Sequence, residues 1–313
     1  GFQVQTRTED PSEGIAGDFY YNSTTGQFKN ISDATGTGTW ASSGVVNTAR
    51  GWMASAGIQT AGMIMGGDPG ARTDKTELYD GSSWTEVNDL NLIRGQNVGA
   101  GTYTASITFG GISPPQSPAE IAKTESWDGT NWTEVNALNQ GKYGMSGFGT
   151  QTAAVSGGGY TTTAVNNTET WNGSSWTEVN EMNTARWYLT GAGTQTSGIA
   201  AVGATPSQVN NVETWDGTSW SETTEANTAR DQMCDGAGSS SNNAIIYGGA
   251  TPSASALTEQ WDGTSWTEVA DLATARKGIG SFGASTKSAV AASGATPTRI
   301  TNTEDWNEAD FLI

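Results

Sequence analysis

The chain has 313 residues, a formal net charge of −18 and 35% hydrophobic residues. Such a charge disfavours binding to nucleic acid and insertion into anionic membranes, and no Lys/Arg cluster reverses it locally. Histidine is absent, which excludes His-based triads, His general bases and His metal sites, and no apolar run reaches membrane-spanning length.

Residues 1–39 precede a series of repeats. Residues 17–32 read GDFYYNSTTGQFKNIS, and their alternation, broken by turn residues at 23–26, predicts a β-hairpin. The chain begins with Gly1 rather than Met, so we expect a processed chain or part of a longer one. We interpret residues 1–39 as an attachment segment.

From Trp40 onward, a tryptophan is followed ten positions later by a basic residue, with a period of 44 to 48 residues. A period of about 40–50 residues is the size of one four-stranded propeller blade. We expect these tryptophans to pack between neighbouring blades. The six pairs are Trp40/Arg50, Trp84/Arg94, Trp132/Lys142, Trp176/Arg186, Trp220/Arg230 and Trp266/Arg276.

Residues 186–223 illustrate how one repeat divides into strands a to d. Strand a is WYLTGAG after Arg186, strand b is SGIAAVG (197–203), strand c is NVETWDG (211–217) and strand d is SWSET (219–223). Strand c always carries a glutamate two residues before an aromatic residue, so both side chains point to one face. These pairs are Glu77/Tyr79, Glu125/Trp127, Glu169/Trp171, Glu213/Trp215, Glu259/Trp261 and Glu304/Trp306.

The last repeat contains strands a, b and c, but no tryptophan follows Trp306 to mark strand d. Trp40 occupies the place of a strand-d tryptophan at the other end of the repeats. A strand d from the N-terminal side should therefore close the last blade and remove the exposed edge of an open array. The predicted fold is all-β: a six-bladed β-propeller of four-stranded antiparallel blades over residues 40–313.

The repeats resemble the kelch repeat family, and this resemblance implies a β-propeller. It rests on a Gly-Gly doublet after an apolar strand, as at Gly66-Gly67, on the strand-c aromatic, and on the tryptophan five residues later, over about residues 40–307. Two doublets are reduced to Gly203 and Gly294, and the aromatic-to-tryptophan spacing is slightly shorter than kelch repeats usually have.

The repeats share recurring sequence segments such as NTAR, GAGTQT and SSWTEVN. These segments look like those in the kelch-like repeats of bacteriophage structural proteins. The N-terminal hairpin likewise resembles hairpins that precede terminal domains in phage tail and fibre proteins. The resemblance implies a virion protein that attaches to other virion proteins through residues 1–39.

The six basic residues, Arg50 to Arg276, allow two interpretations. Because they open the innermost strand a, they could bind an anion in the central channel. Alternatively, each forms an ion pair with a strand-c glutamate. We favour the second interpretation because six unpaired cations around one axis would repel each other.

Positions just after the basic residues vary between repeats, and variation within a fixed frame is where a scaffold carries function. Tyr143 and Trp187 follow Lys142 and Arg186 in neighbouring repeats. Aromatic rings can stack on sugars and an adjacent cation can hold an acidic sugar, so these four residues are the candidate ligand site. Packing at the channel mouth is the alternative, and Trp52 is expected to lie too deep to join.

Catalytic and metal chemistry has little support. The single cysteine, Cys234, provides no thiolate cluster and no phosphate-binding loop is present, so we predict no cofactor and no metal. A glycosidase needs only two carboxylates, but most acids recur in every repeat. Asp231 and Asp235 depart from the repeat, and we expect them to be solvated or turn-capping acids.

These observations favour a non-enzymatic phage virion protein, a tail, fibre or decoration component, that displays a propeller toward a host-surface glycan or protein. A secreted or cell-surface lectin-like propeller is the alternative. A carboxylate-only glycan hydrolase is the third hypothesis. The b–c loop at residues 112–122, stiffened by three prolines, should point outward on the variable face, and residues 1–39 should attach on the opposite face.

Overall fold

Six four-stranded antiparallel sheets form a ring, which confirms the predicted six-bladed β-propeller. The computed structural model describes residues 5–8, 19–30, 38–115, 119–233 and 235–308. Within these ranges there is no helix, and hence none that could span a membrane. Strand a of each blade contacts strand a of the next blade, so the six strands a surround the axis.

A small sheet precedes the ring and consists of strands β1 (Gln5–Arg7), β2 (Phe19–Asn22) and β3 (Gln27–Asn30). Strands β2 and β3 form the predicted hairpin. Its turn is held by the Asn22 side chain, which accepts hydrogen bonds from the N–H groups of Thr24 and Thr25, both at 3.0 Å. Strand β1 pairs in parallel with β2. The polar/apolar alternation within residues 17–32 did not predict this pairing.

The propeller strands follow in chain order, beginning with β4 (Thr39–Ser43). Blade one comprises β5 (Ala54–Ile58), β6 (Ala61–Met65), β7 (Thr76–Tyr79) and β8 (Trp84–Glu86). Blade two comprises β9 (Val98–Thr102), β10 (Ala105–Phe109), β11 (Thr124–Trp127) and β12 (Trp132–Val135). Blade three comprises β13 (Ser146–Thr150), β14 (Ala153–Gly157), β15 (Thr168–Trp171) and β16 (Trp176–Val179).

The second half of the ring repeats this order. Blade four comprises β17 (Thr190–Thr194), β18 (Ser197–Ala201), β19 (Val212–Trp215) and β20 (Trp220–Glu222). Blade five comprises β21 (Ala237–Ser240), β22 (Asn243–Tyr247), β23 (Thr258–Trp261) and β24 (Trp266–Glu268). Blade six comprises β25 (Gly280–Ser285), β26 (Ser288–Ala292), β29 (Thr303–Asn307) and β4, with a small ribbon of β27 (Ala295–Thr296) and β28 (Thr298–Arg299) in its b–c loop.

The ring closes as the tryptophan spacing predicted. Strand β4 pairs antiparallel with β29 and places Trp40 opposite Trp306. The Trp40 ring also lies 4.7 Å from the ring of Tyr247 in blade five. The first strand of the propeller therefore joins its last blade to the blade before it.

The core lies between blades, because the aromatic residues of strands c and d cover the apolar residues of the preceding blade. Trp171 and Trp176 of blade three, for example, pack with Ile107 and Phe109 of blade two. The expected packing of the strand-d tryptophans between blades is confirmed. Burial of side chains this large is the main stabilising contribution available to a chain so rich in glycine.

Most strand-d tryptophans also donate a hydrogen bond across the blade boundary. The indole N–H of Trp220, for example, donates to the hydroxyl of Thr168 in the preceding blade at 2.9 Å. The same bond joins Trp40 to Thr258, Trp84 to Thr303, Trp132 to Thr76 and Trp176 to Thr124. Trp266 differs, because blade four carries Val212 at this position, and its N–H donates to the Thr224 carbonyl at 3.2 Å.

We expect Thr168→Val to lower the free energy of unfolding by about 1–2 kcal/mol, since the buried Trp220 N–H would lose its acceptor while the side-chain volume is kept. Chemical denaturation measures this change. Val212→Thr serves as the comparison of similar volume at the blade where no such bond exists. A Thr168→Val protein as stable as the wild type would show that this bond contributes nothing.

Candidate functional site

The six basic residues are buried and paired with the strand-c glutamates of their own blades. Their side chains are 0% exposed, and those of the glutamates at most 3%. Five of them lie four residues before the first residue of strand a, as Arg50 does before Ala54, and Arg230 lies seven residues before Ala237. The contacts are Arg50–Glu77 at 2.6 Å, Arg94–Glu125 at 2.6 Å, Lys142–Glu169 at 3.8 Å, Arg186–Glu213 at 3.0 Å, Arg230–Glu259 at 2.7 Å and Arg276–Glu304 at 2.8 Å.

In most of these ion pairs, an asparagine also donates hydrogen bonds to the glutamate. This asparagine is the first residue of the recurring NTAR segment. In blade four, Glu213 accepts hydrogen bonds from the backbone N–H of Asn183 at 2.7 Å and from its side chain at 3.0 Å. The Asn183 side chain also donates to the Trp220 carbonyl. Sequence reasoning missed these asparagines, although each stands three residues before its cation. They are Asn47, Asn91, Asn139, Asn183 and Asn227, with Ala273 at the sixth position.

The d–a and b–c connections share one face of the propeller, which we call the variable face. Backbone bridges link the two kinds of connection, for example Tyr143 to Tyr160 and Trp187 to Ala204. The a–b and c–d turns lie on the opposite face, the turn face. The chain enters β4 from that face, because Gln59 of an a–b turn donates to the Trp306 carbonyl at 2.8 Å, beside the first pair of β4.

Tyr143 and Trp187 meet on the variable face, together with two tyrosines that the sequence analysis did not select. Trp187 stacks on Tyr188 with ring centroids 4.2 Å apart, lies 4.8 Å from Tyr160 and 6.1 Å from Tyr143. All four residues are half-buried. We call Tyr143, Tyr160, Trp187 and Tyr188 the aromatic patch. Tyr160 lies in the b–c loop of blade three, opposite Tyr143 in a backbone bridge.

Lys142 and Arg186 do not belong to this surface, which corrects the expectation that they hold a ligand. Both are fully buried beneath it. Arg186 is occupied by Glu213 and by the carbonyls of Val202 and Asn211. Lys142 lacks the forked donor geometry of arginine and lies farther from its glutamate. Burial lowers its pKa to about 8.

A closed series of backbone hydrogen bonds encircles the axis just below the variable face. The residues two positions after the six cations all have φ between 52° and 61°, a left-handed conformation that costs energy for residues other than glycine. The N–H group of each of these residues donates a hydrogen bond to the carbonyl of the equivalent residue in the preceding blade. In blade five the donor is Met233 instead of Gln232. This axial belt consists of Trp52, Gln96, Gly144, Tyr188, Gln232 and Gly278.

The axial belt closes the channel at the variable face. The cavity left there has a volume of about 10 Å³, at the lower limit for one water molecule. Trp52 and Tyr188 both line it. Trp52 was expected to lie too deep in its strand to reach the ligand face, but its place in the belt puts it half-exposed at the mouth of the axis.

On the other side of the belt, the axis contains a cavity of about 130 Å³, which we call the axial pit. Its walls are formed mainly by glycine, alanine and serine of the strands a, and among the described residues Asp235 is the only Asp, Glu, Lys or Arg that lines it. Blade five has one more residue than the other blades between its cation Arg230 and the pit-lining Gly238. This extra residue displaces the chain toward the axis.

Asp235 is buried and spans the axial pit, which corrects its interpretation as a solvated or turn-capping acid. Its carboxylate accepts hydrogen bonds from the N–H of Ser55 at 2.6 Å and of Gly99 at 3.3 Å, in two blades across the axis. Asp231 has a separate environment, since it accepts a hydrogen bond from Gln208 at 2.9 Å on the variable face. Cys234, between them, lies outside the described residues.

Asp235 should make stability depend on pH. Burial raises its pKa from 3.8 to about 8, so the folded chain retains a proton that the unfolded chain releases between these values. Its stabilising contribution is complete below about pH 4 and is lost as the pH rises through about 8. The difference in unfolding free energy between wild type and Asp235→Asn, measured by urea denaturation, should therefore change between pH 4 and 8. A constant difference would contradict this assignment.

No metal site is evident, since the described ranges contain no group of three or more Cys, Asp or Glu side chains arranged around a common point. A scan against protein-family models finds no match, and a search of curated proteins finds no match either. The arrangement of the side chains is therefore the basis for a functional conclusion.

Proposed function

We propose that this protein is a non-enzymatic binding propeller that recognises carbohydrate with its variable face. The observation that carries the proposal is the aromatic patch. Four half-exposed rings, contributed by neighbouring blades three and four, form one surface beside the axial belt. An aromatic ring offers a large apolar surface with little conformational freedom to lose, which suits stacking against the C–H face of a sugar.

The frame beneath the patch supports this role. Residues 143 and 187 are fixed by backbone bridges to the adjacent b–c loops, and the buried cations before them are neutralised by Glu169 and Glu213. The rings are therefore held in position before a ligand arrives. Such preorganisation lowers the entropy cost of binding.

We further propose that the protein is a structural component of a phage virion. The likeness of the repeats to phage kelch-like repeats supports this setting. So does the course of β4, which enters the ring from the turn face, opposite the aromatic patch. Attachment through residues 1–39 would then present the variable face, including the described parts of the 112–122 loop, to the host surface.

Mass spectrometry of purified virions tests the setting. Peptides of this chain at stoichiometric amounts support a virion protein, whereas its presence only in culture supernatant or at a cell surface supports the lectin-like alternative.

Incubation with host polysaccharides, with released sugar measured, tests the hypothesis of a carboxylate-only glycan hydrolase. Release that depends on Asp231 or Asp235 would replace the binding role with hydrolysis.

The double substitution Tyr143→Ala and Trp187→Ala should weaken glycan or host-cell binding at least about tenfold, because each ring contributes on the order of 1 kcal/mol of stacking. Binding is measured by a glycan array followed by calorimetry. Tyr103→Ala is the matched control, since Tyr103 is a half-buried tyrosine in an a–b turn of the turn face. Undiminished binding by a folded double variant would leave the aromatic patch with a packing role.

A further inference from the structure

The exposed basic residues of the propeller are unevenly distributed. The chain has 14 Lys and Arg residues, and the six of the repeat rule are buried in ion pairs. Lys75 and Lys123 pair with acids of the outer strands, at Glu86 and Glu134, and Lys287 lies in an a–b turn on the turn face. The three that remain in the ring are Arg72, Lys277 and Arg299, all on the variable face in blades one and six.

Arg72 and Arg299 converge on a single carboxylate. Asp68 lies 2.8 Å from Arg72 and 3.3 Å from Arg299, and the two arginine side chains are 23% and 30% exposed. Two guanidinium groups therefore share one negative charge, which leaves a local excess of one positive charge. The Nε atom of Arg72 has no hydrogen-bond partner among the described residues.

This arginine pair is connected to the axial mouth through Trp52. The guanidinium carbon of Arg299 lies 5.3 Å from the centre of the Trp52 ring, within the range of a cation–π contact. Trp52 lines the small cavity at the axial belt that Tyr188 of the aromatic patch also lines. Arg299, Trp52, Tyr188 and Trp187 thus form a path across the mouth of the axis, with cations at one end and aromatic rings at the other.

Lys277 neighbours the arginine pair through the backbone, while its side-chain charge acts on Asp231 of blade five. It bridges to Ala295, which pairs with Arg299 in the ribbon of β27 and β28. The long-range field of a chain with net charge −18 repels anions from most of the surface. At the variable-face end of the axis, in blades one and six, an anionic group meets two guanidinium groups that share only the single carboxylate of Asp68.

We infer that the carbohydrate is an acidic oligosaccharide, with a sugar carboxylate held by Arg72 and Arg299 while another sugar ring of the same oligosaccharide stacks on the aromatic patch. This inference rests on the proposed function. Arginine donates two parallel N–H groups to a carboxylate, which gives charge-assisted and directional bonds. A neutral sugar would leave these donors unused, so the arginine pair selects for acid-bearing sugars.

Calorimetry with an oligogalacturonate and with a malto-oligosaccharide of equal length tests the inference. Arg72→Gln and Arg299→Gln should each weaken oligogalacturonate binding about tenfold, the loss of one charge-assisted bond, and leave the response to the malto-oligosaccharide unchanged. Lys123→Gln is the control, because it makes the same change in net charge beside the outer strands of blade two, where Lys123 pairs with Glu134. The wild type should bind the oligogalacturonate more tightly and lose this preference at high salt.

The outcomes separate the inference from the proposed function. Wild-type binding of the malto-oligosaccharide alone, or an equal loss in Lys123→Gln and Arg299→Gln, overturns the acidic preference and leaves carbohydrate binding intact. Failure of any carbohydrate to bind on the array or in calorimetry overturns the proposed function itself. Because Arg72 and Arg299 are partly exposed, thermal unfolding should confirm that the glutamine variants remain folded.

Discussion

Deletion of residues 1–45 should open the ring and lower the free energy of unfolding by roughly 5 kcal/mol or more. The deletion removes the whole of β4, exposes the edge of β29, and takes away Trp40, whose ring contacts Trp306 and Tyr247. Truncating one packed aromatic side chain alone costs about 3–5 kcal/mol. Thermal unfolding followed by near-ultraviolet circular dichroism measures the loss.

Deletion of residues 1–37 is the matched control. It removes the small N-terminal sheet and keeps the strand Thr39–Ser43. This shorter deletion should leave the melting temperature of the propeller within a few degrees of the wild type. If both deletions were equally harmless, strand d of blade six would not be what closes the ring.

Glu213→Ala should destabilise the fold by about 3–5 kcal/mol, the usual result when one partner of a buried ion pair is removed. The substitution would leave the charge of Arg186 without its carboxylate and the N–H groups of Asn183 and Thr184 without an acceptor. Chemical denaturation of the folded protein provides the measurement.

Two further variants separate the buried ion pair from an exposed acid. Asp216→Ala removes an exposed acid that caps the c–d turn of the same blade and should have a clearly smaller effect. The double variant Glu213→Leu with Arg186→Met removes both charges and should recover part of the lost stability, since an apolar pair avoids the desolvation cost. Equal and small effects of Glu213→Ala and Asp216→Ala would show that the buried pair does not matter.

The repeat made the fold predictable because its signals are local and recur six times. The distance from Trp40 to Arg50 identified the closing strand, and the strand-c glutamates identified the partners of the cations. Features formed by residues from separate blades have no such local, recurring signal in the sequence. Tyr160 and Arg299 lie in the b–c loops of blades three and six, and only the folded ring brings each of them next to its neighbours.

The centre of the ring was the least predictable part. The left-handed conformation of Trp52 and Tyr188 is imposed by contacts between blades, which no residue type at those positions reveals. Asp235 carried a readable signal, the extra residue between Arg230 and Gly238. The sequence alone could not show the effect of this extra residue, because an insertion can extend a surface loop as readily as it can displace the chain toward the axis.

The axial belt and Asp235 together determine what can move through the molecule. The belt narrows the variable-face end of the axis to about the size of one water molecule, and the carboxylate of Asp235 lies across the pit behind it. Along the part of the axis that the structure describes, the belt leaves no opening of the size of a sugar ring. A solute on the variable face and a solute in the axial pit have no shared path, so the two faces can be occupied independently.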